Sequence, residues 1–164
     1  PGWVERAKVT VSGASLGQAA ARGSFLEIDR EWRAGDTVTL ELPMRFRLIK
    51  GRQRQAGRVA VARGPLVFCL NPAQHRQLEG VDAADLGRFS LDPQSLEAVP
   101  DSSVRPGGVA CRAGFWKPGY STSPKPELTL LLTEFPDPGG AAIYFRIRDL
   151  SAGVDDELAK GKGE

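Results

Sequence analysis

Histidine occurs once and cysteine twice in 164 residues. So few thiols exclude a disulfide-stapled scaffold, and a chain this long buries roughly 70% of its unfolded surface without one. Cys69 and His75 are the one close pair of soft ligands, and two ligands do not make a zinc site. Cys69 and Cys111 stand on separate strand-like runs and read as buried thiols rather than as a bridge. Long apolar runs are also missing. None approaches the roughly 20 residues that cross a bilayer, so no membrane partner is expected. Neither sign of charge dominates: 22 Lys and Arg stand against 20 Asp and Glu, a formal +2. So weak a field calls for no polyanion, and no nucleic-acid partner is expected. GxSxG, P-loop, dinucleotide-binding and HExxH patterns do not occur, and no catalytic, cofactor-binding or metal-binding residue is assigned. The sequence opens on Pro1-Gly2-Trp3 without methionine or leader, which reads as a cut in a longer protein and leaves its compartment open.

Glycine (19) and proline (12) are plentiful, within 41% hydrophobic and 26% charged residues. That composition suits a soluble, turn-rich all-β chain. The apolar residues alternate at period two. Val9 and Val11 share a face. Ser24 to Asp29 reads as a strand with Leu26 and Ile28 inward and Glu27 and Asp29 outward. After an Ala34-Gly35-Asp36 turn, Thr37 to Leu42 puts Val38, Leu40 and Leu42 inside, antiparallel to that strand. Pro43 ends it. Phe46 and Leu48 start another. Arg58 to Leu70 (RVAVARGPLVFCL) gives two strands hinged on Arg63-Gly64-Pro65, with Val59 and Val61, then Leu66, Phe68 and Leu70, as their apolar faces. Beyond Asn71-Pro72 the pattern loosens. Val81 to Leu86 suits one helical turn and Val109 to Ala113 a strand. Lys117 to Pro126 is a proline-rich loop. Two strong strands follow, carrying Leu128, Leu130 and Leu132, then Ile143, Phe145 and Ile147. About ten short strands and no convincing amphipathic helix predict β-sandwich (jelly-roll-like) modules with antiparallel sheets and little helix. Residues 1–72 form the first expected module, truncated at its N-terminus, and 73–164 the second, with a frayed tail.

Three segments resemble one family. Pro1-Gly2-Trp3 followed by Ala7 to Gly13 (AKVTVSG) is similar to the "RIPGW…V-x-V-N-G" segment of bacterial β-L-arabinofuranosidases of glycoside hydrolase family 127. Phe25 to Met44 resembles that family's "Y-x-x-I-x-R-x-W-x-x-G-D-x-V-x-L-x-L-P-M", with Ile28, Arg30, Trp32, Gly35, Asp36, Val38 and Leu40 among the matches. Arg58 to Leu70 resembles "G-R-V-A-x-x-R-G-P-L-V-Y-C-L-E", except that Asn71 replaces the final Glu. The resemblance is dense to Leu70 and returns weakly around Thr133 to Asp149. It implies the C-terminal β-sandwich region of such an enzyme, whose (α/α)6 barrel carries the chemistry. Zinc, its cysteine ligands, a cysteine nucleophile and the acidic residues are implied for that barrel alone. Cys69 stands in a sandwich-strand motif and does not inherit the nucleophile's role.

Each remaining constellation has a structural reading beside the functional one. Glycoside hydrolysis uses two carboxyl groups about 5–10 Å apart. Glu27 and Asp29 share a strand face, which reads better as a solvated surface. Asp155, Asp156 and Glu157 lie in the frayed tail. Arg45, Arg47, Lys50, Arg52, Arg54 and Arg58 form a basic stretch that could meet an anionic partner but reads better as the water-facing side of one strand plus a loop; it lacks the interleaved aromatics that single-stranded nucleic acid needs. Arg30 and Trp32 are spaced as a cation–π pair, and Arg63 as a ligand of carbonyls at its corner. Phe115, Trp116 and Tyr120 surround the proline-rich loop. Trp116 and Tyr120 are the candidate carbohydrate contacts, against burial in the sandwich.

Three functions follow as expectations. The first is the non-catalytic portion of a glycoside hydrolase, bracing the barrel of the same polypeptide or supporting a homodimer. The second is a carbohydrate-binding module. The third is a purely structural assembly module.

Overall fold

Val9 and Val11, expected on one face, are buried together on β1 (Arg6–Val11), the first strand of a computed structural model. The structure describes residues 1–4, 6–17, 20–21, 23–119, 121–149 and 154–155. It divides into two units, Pro1–Arg45 and Phe46–Glu164.

In the first unit β1 pairs antiparallel with β2 (Ala14–Ser15), β3 (Ala20–Ala21) and β4 (Val38–Glu41). Ser12 and Gly13 join β1 to β2 with φ of 47° and 82°. Two successive positive φ values are what a two-residue hairpin of the primed type requires, and glycine supplies one without strain. The register sets Val9 opposite Leu40 and Val11 opposite Val38, so four apolar side chains share one face. Lys8 and Glu41 pair at 3.5 Å on the other. The turn into β4 is held by Asp36, whose carboxylate accepts from Ser12 Oγ (2.8 Å), the Arg33 N–H (2.9 Å) and Arg30 (3.3 Å). Arg30 in turn lies 5.2 Å from the Trp32 ring centroid, the pair expected from their spacing. The Arg-x-Trp-x-x-Gly-Asp spacing is thus a turn lock.

Ser24 to Asp29 forms no strand. Its alternation survives, with Leu26 and Ile28 half-buried and Glu27 and Asp29 exposed. β4 pairs with β1 instead, and at Thr10 and Val11 the two edges of β1 are filled by β2 and β4.

The second unit is built from β5 (Phe46–Lys50), β6 (Arg58–Arg63), β7 (Leu66–Leu70), β8 (Ser90–Leu91), β9 (Glu97–Pro100), β10 (Val109–Trp116), β11 (Leu128–Glu134), β12 (Tyr144–Ile147) and β13 (Val154–Asp155). The hydrogen-bonded path β12-β8-β10-β11-β7-β6 closes on itself, because β6 gives Ala62 and Arg63 to β7 but Arg58 to Ala60 to β12. The result is an all-β sandwich whose sheets are continuous at β6. Inward residues of every wall fill it, among them Val59, Val61, Phe68, Leu70, Phe115, Leu130, Leu132 and Phe145. Phe115 and Phe145 meet edge to face at 5.2 Å. Cys69 and Cys111 are both free and buried, as expected.

The expected Gly64-Pro65 corner is a two-residue hairpin turn, with Arg63 opposite Leu66. Gly64 takes φ 59°, the left-handed value a hairpin's first turn residue adopts, and Pro65 follows at fixed φ. The Gly64 carbonyl is held by Arg47 at 3.1 Å, from the neighbouring strand. The helical turn is α1 (Ala83–Leu86), capped by Asp82 on the Ala84 N–H at 2.8 Å. Two pairings, β12 with β8 and β13 with β5, are parallel, where antiparallel sheets were expected. Phe46 to Leu70 stands in the second unit, whereas the expected modules placed it in the first. The reason is pairing: β6 and β7 bond to β12 and β11.

Candidate functional site

Trp116 is buried at 7% exposure at the end of β10. Its Nε1 donates to the Ser123 carbonyl at 3.1 Å, and the Arg148 guanidinium lies 3.7 Å from its ring centroid. Arg148 also donates to the carbonyls of Ser123 (2.9 Å) and Ser121 (3.1 Å), while Glu127 accepts from the Lys117 N–H at 2.9 Å. These bonds pin the proline-rich loop, and the guanidinium occupies the ring face a sugar would use. Tyr120, the second candidate contact, lies outside the described residues. Arg148 is the group that closes over the indole. An arginine whose partner lies 32 positions away in the chain carries no local signal.

The buried acids are engaged. The Glu134 side chain is only 4% exposed and takes a bidentate pair from Arg105 (2.6 and 2.8 Å) plus the Val109 N–H (2.9 Å). Asp137 accepts from Thr133 Oγ1 (2.7 Å), the Gly139 N–H (2.8 Å) and Asn71 Nδ2 (3.1 Å). Desolvation pushes the Asp137 carboxyl upward, but those three donors together outweigh it and hold it below the usual carboxylate value. Asp36 is lowered as well, chiefly by the Arg33 N–H and then by Ser12. A general acid for glycoside hydrolysis needs the opposite shift. Glu27 and Asp29 are exposed on their extended segment, as the solvated reading had it.

Neither thiol is poised for attack. Desolvation raises Cys69 and pushes Cys111 up to about 12, so both are protonated at neutral pH. Among the described residues no three His, Cys, Asp or Glu side chains converge as metal ligands. The basic stretch is the β5–β6 hairpin, where Arg58 donates to Gln55 Oε1 at 3.0 Å.

Two concave surfaces lie among the described residues. In the second unit a groove of about 580 Å³ lies between α1 and residues 117–119. Among its charged groups Arg88 pairs with Asp85 at 2.9 Å, and Asp82 caps α1. In the first unit a cavity of about 270 Å³ is lined by Pro1, Val9, Leu26, Ile28, Val38 and Leu40, among others. Val38 and Leu40, expected inside, are 52% and 54% exposed, and Phe25 is fully exposed. The register gives the reason: their face is the apolar one, and among the described residues nothing in the first unit's sheet covers its β4 side. An uncharged, uncovered sheet face can bind apolar side chains and offers no group for proton or nucleophile chemistry.

Comparison with known proteins follows the same division. Residues 1–44 match the family model described as beta-L-arabinofuranosidase, GH127 middle domain. No curated protein matches the chain. Among solved structures, one titled glycoside hydrolase and one titled GH127 beta-arabinofuranosidase each superpose with a TM-score of 0.62 at 22% identity over 90% of this chain. The chain spans only 26% and 24% of those two proteins. By sequence over residues 1–44, and by fold over nine-tenths of its length, this chain is therefore similar to part of a glycoside hydrolase of family 127.

Proposed function

We propose that this chain is the non-catalytic β-sandwich portion of a glycoside hydrolase of the β-L-arabinofuranosidase type, and that it braces the catalytic barrel of the same polypeptide. One observation carries the reading: nine-tenths of this chain superposes on solved glycoside hydrolases while spanning about a quarter of their length. The residues agree with it. Among the described residues the buried acids Glu134 and Asp137 are tied into structural bonds, both thiols are buried, and the apolar sheet face of the first unit offers no group for chemistry. Zinc, the cysteine nucleophile and the acid belong to the barrel in this reading, and none is sought here.

The test compares two proteins on an aryl β-L-arabinofuranoside. The longer polypeptide releases arabinose and this chain alone does not. Turnover by this chain alone would end the non-catalytic reading, and an inactive longer polypeptide would end the proposed enzyme class. Removing this chain from an active longer polypeptide should lower its melting temperature and yield, as expected of a brace. An unchanged melting temperature would leave the alternative of homodimer support, read from the oligomeric state.

A further inference from the structure

β4 has two features that belong together. Each of its four residues is exposed, and among the described residues it pairs on one edge only, with β1. The register says which groups face the open edge. The Ser12 N–H bonds to the Thr37 carbonyl at 2.8 Å, so residues 12 and 37 are a hydrogen-bonded pair. Antiparallel ladders alternate bonded and non-bonded pairs, which makes Val11–Val38 and Val9–Leu40 non-bonded. The N–H and C=O groups of Val38 and Leu40 therefore point away from β1 into the open edge. Their side chains lie on the uncovered apolar face. Along that edge Val38, Thr39 and Leu40 carry no charge, and Glu41 is the strand's one charged residue; charge is one of the devices that protect a terminal strand.

We infer that β4 is an interior strand of the working protein: a further amphipathic strand pairs along its free edge and carries apolar side chains over Val38, Leu40 and Phe25. The occupant is a segment of the same longer polypeptide, joined through Pro1, and this rests on the reading given under Proposed function. Two observations select it over a second copy. Pro1 itself lines the apolar cavity, so a segment attached there arrives beside β4. Proteins that share this fold carry about three-quarters of their chain outside it. A tethered strand also meets the edge at millimolar effective concentration, which a free partner rarely reaches. Main-chain hydrogen bonds give such an addition its register, and the alternate side chains give it selectivity.

Amide hydrogen exchange reads the inference without any substitution. In this chain alone the Val38 and Leu40 amides should exchange close to the rate of an unstructured peptide. In the longer polypeptide they should slow by about 100-fold or more. If the longer polypeptide hydrolyses the arabinofuranoside and both amides still exchange freely, the added strand is wrong and the proposed function stands. If the longer polypeptide is inactive, the enzyme class fails, and the amide rates still decide the strand. Protection of both amides in this chain alone, whether independent of protein concentration or rising with it, would also overturn the inference. In the second case a second copy is the occupant.

Discussion

Asp137 shows how a single side chain organises a loop. Its carboxylate satisfies Thr133, Asn71 and the Gly139 N–H at once, and Thr133 and Asn71 are buried. Asp137→Ala strands those donors and should cost about 2–4 kcal/mol in a urea unfolding curve. The sign of its pH dependence follows from its lowered carboxyl. Stability from this group is complete above its ordinary value of 3.8 and is lost as pH falls through the lower folded value. Asp137→Asn should therefore flatten the acid limb of a stability–pH profile below about pH 4, relative to the native chain. An unchanged acid limb would assign that loss to other carboxyls. Trp116 belongs at the same scale. Trp116→Ala empties a buried site and removes the partner of Arg148, so it should destabilise by about 3–5 kcal/mol. Calorimetric titration with arabinose-containing oligosaccharides should give no heat with native chain or variant; heat from the native chain that Trp116→Ala abolishes would restore the carbohydrate-binding reading. Sequence named Trp116 as an aromatic near a loop. What it could not supply was Arg148, because a lid contributed by a distant strand exists only after folding.

At the scale of elements, alternation was read well and partnership was not. Val59, Val61, Phe68, Leu70, Leu130, Leu132 and Phe145 all lie in the core where period-two patterning put them. The Gly64-Pro65 corner was legible because its chemistry is local. Ser24 to Asp29 has the pattern of a strand and forms no ladder. A ladder needs an edge to bond to, and no run of side chains encodes which edges are already filled. The parallel pairing of β12 with β8 was hidden for the same reason. Two strands with equally clean patterns should therefore respond differently to substitution. Leu40→Thr, on exposed β4, should move the unfolding midpoint of this chain by less than about 0.5 kcal/mol. Leu132→Ala, on sealed β11, should cost about 2–5 kcal/mol. Equal costs in chemical denaturation would mean that the face of β4 is already covered in this chain.

On the scale of the whole molecule, the two units differ in how much core each owns. The second unit encloses four buried phenylalanines and a ring of leucines inside a closed path of strands. The first unit has 45 residues, one well-buried strand and an apolar face left open. Units near that size seldom hold together by burial alone, since too little surface is removed from water. Stepwise denaturation is the expected result, with the first unit opening at lower denaturant. A single transition that reports both units together would contradict it.

The placement of the three indoles makes that difference visible without labels. Trp3 and Trp32 stand in the first unit, Trp32 half open to solvent, and Trp116 is sealed in the second. A soluble quencher such as acrylamide should reach Trp32 readily and spare Trp116, so one emission spectrum carries two separable signals. As denaturant rises, the red-edge component should change first, and the blue, quencher-shielded component should persist until the guanidinium of Arg148 swings off its ring.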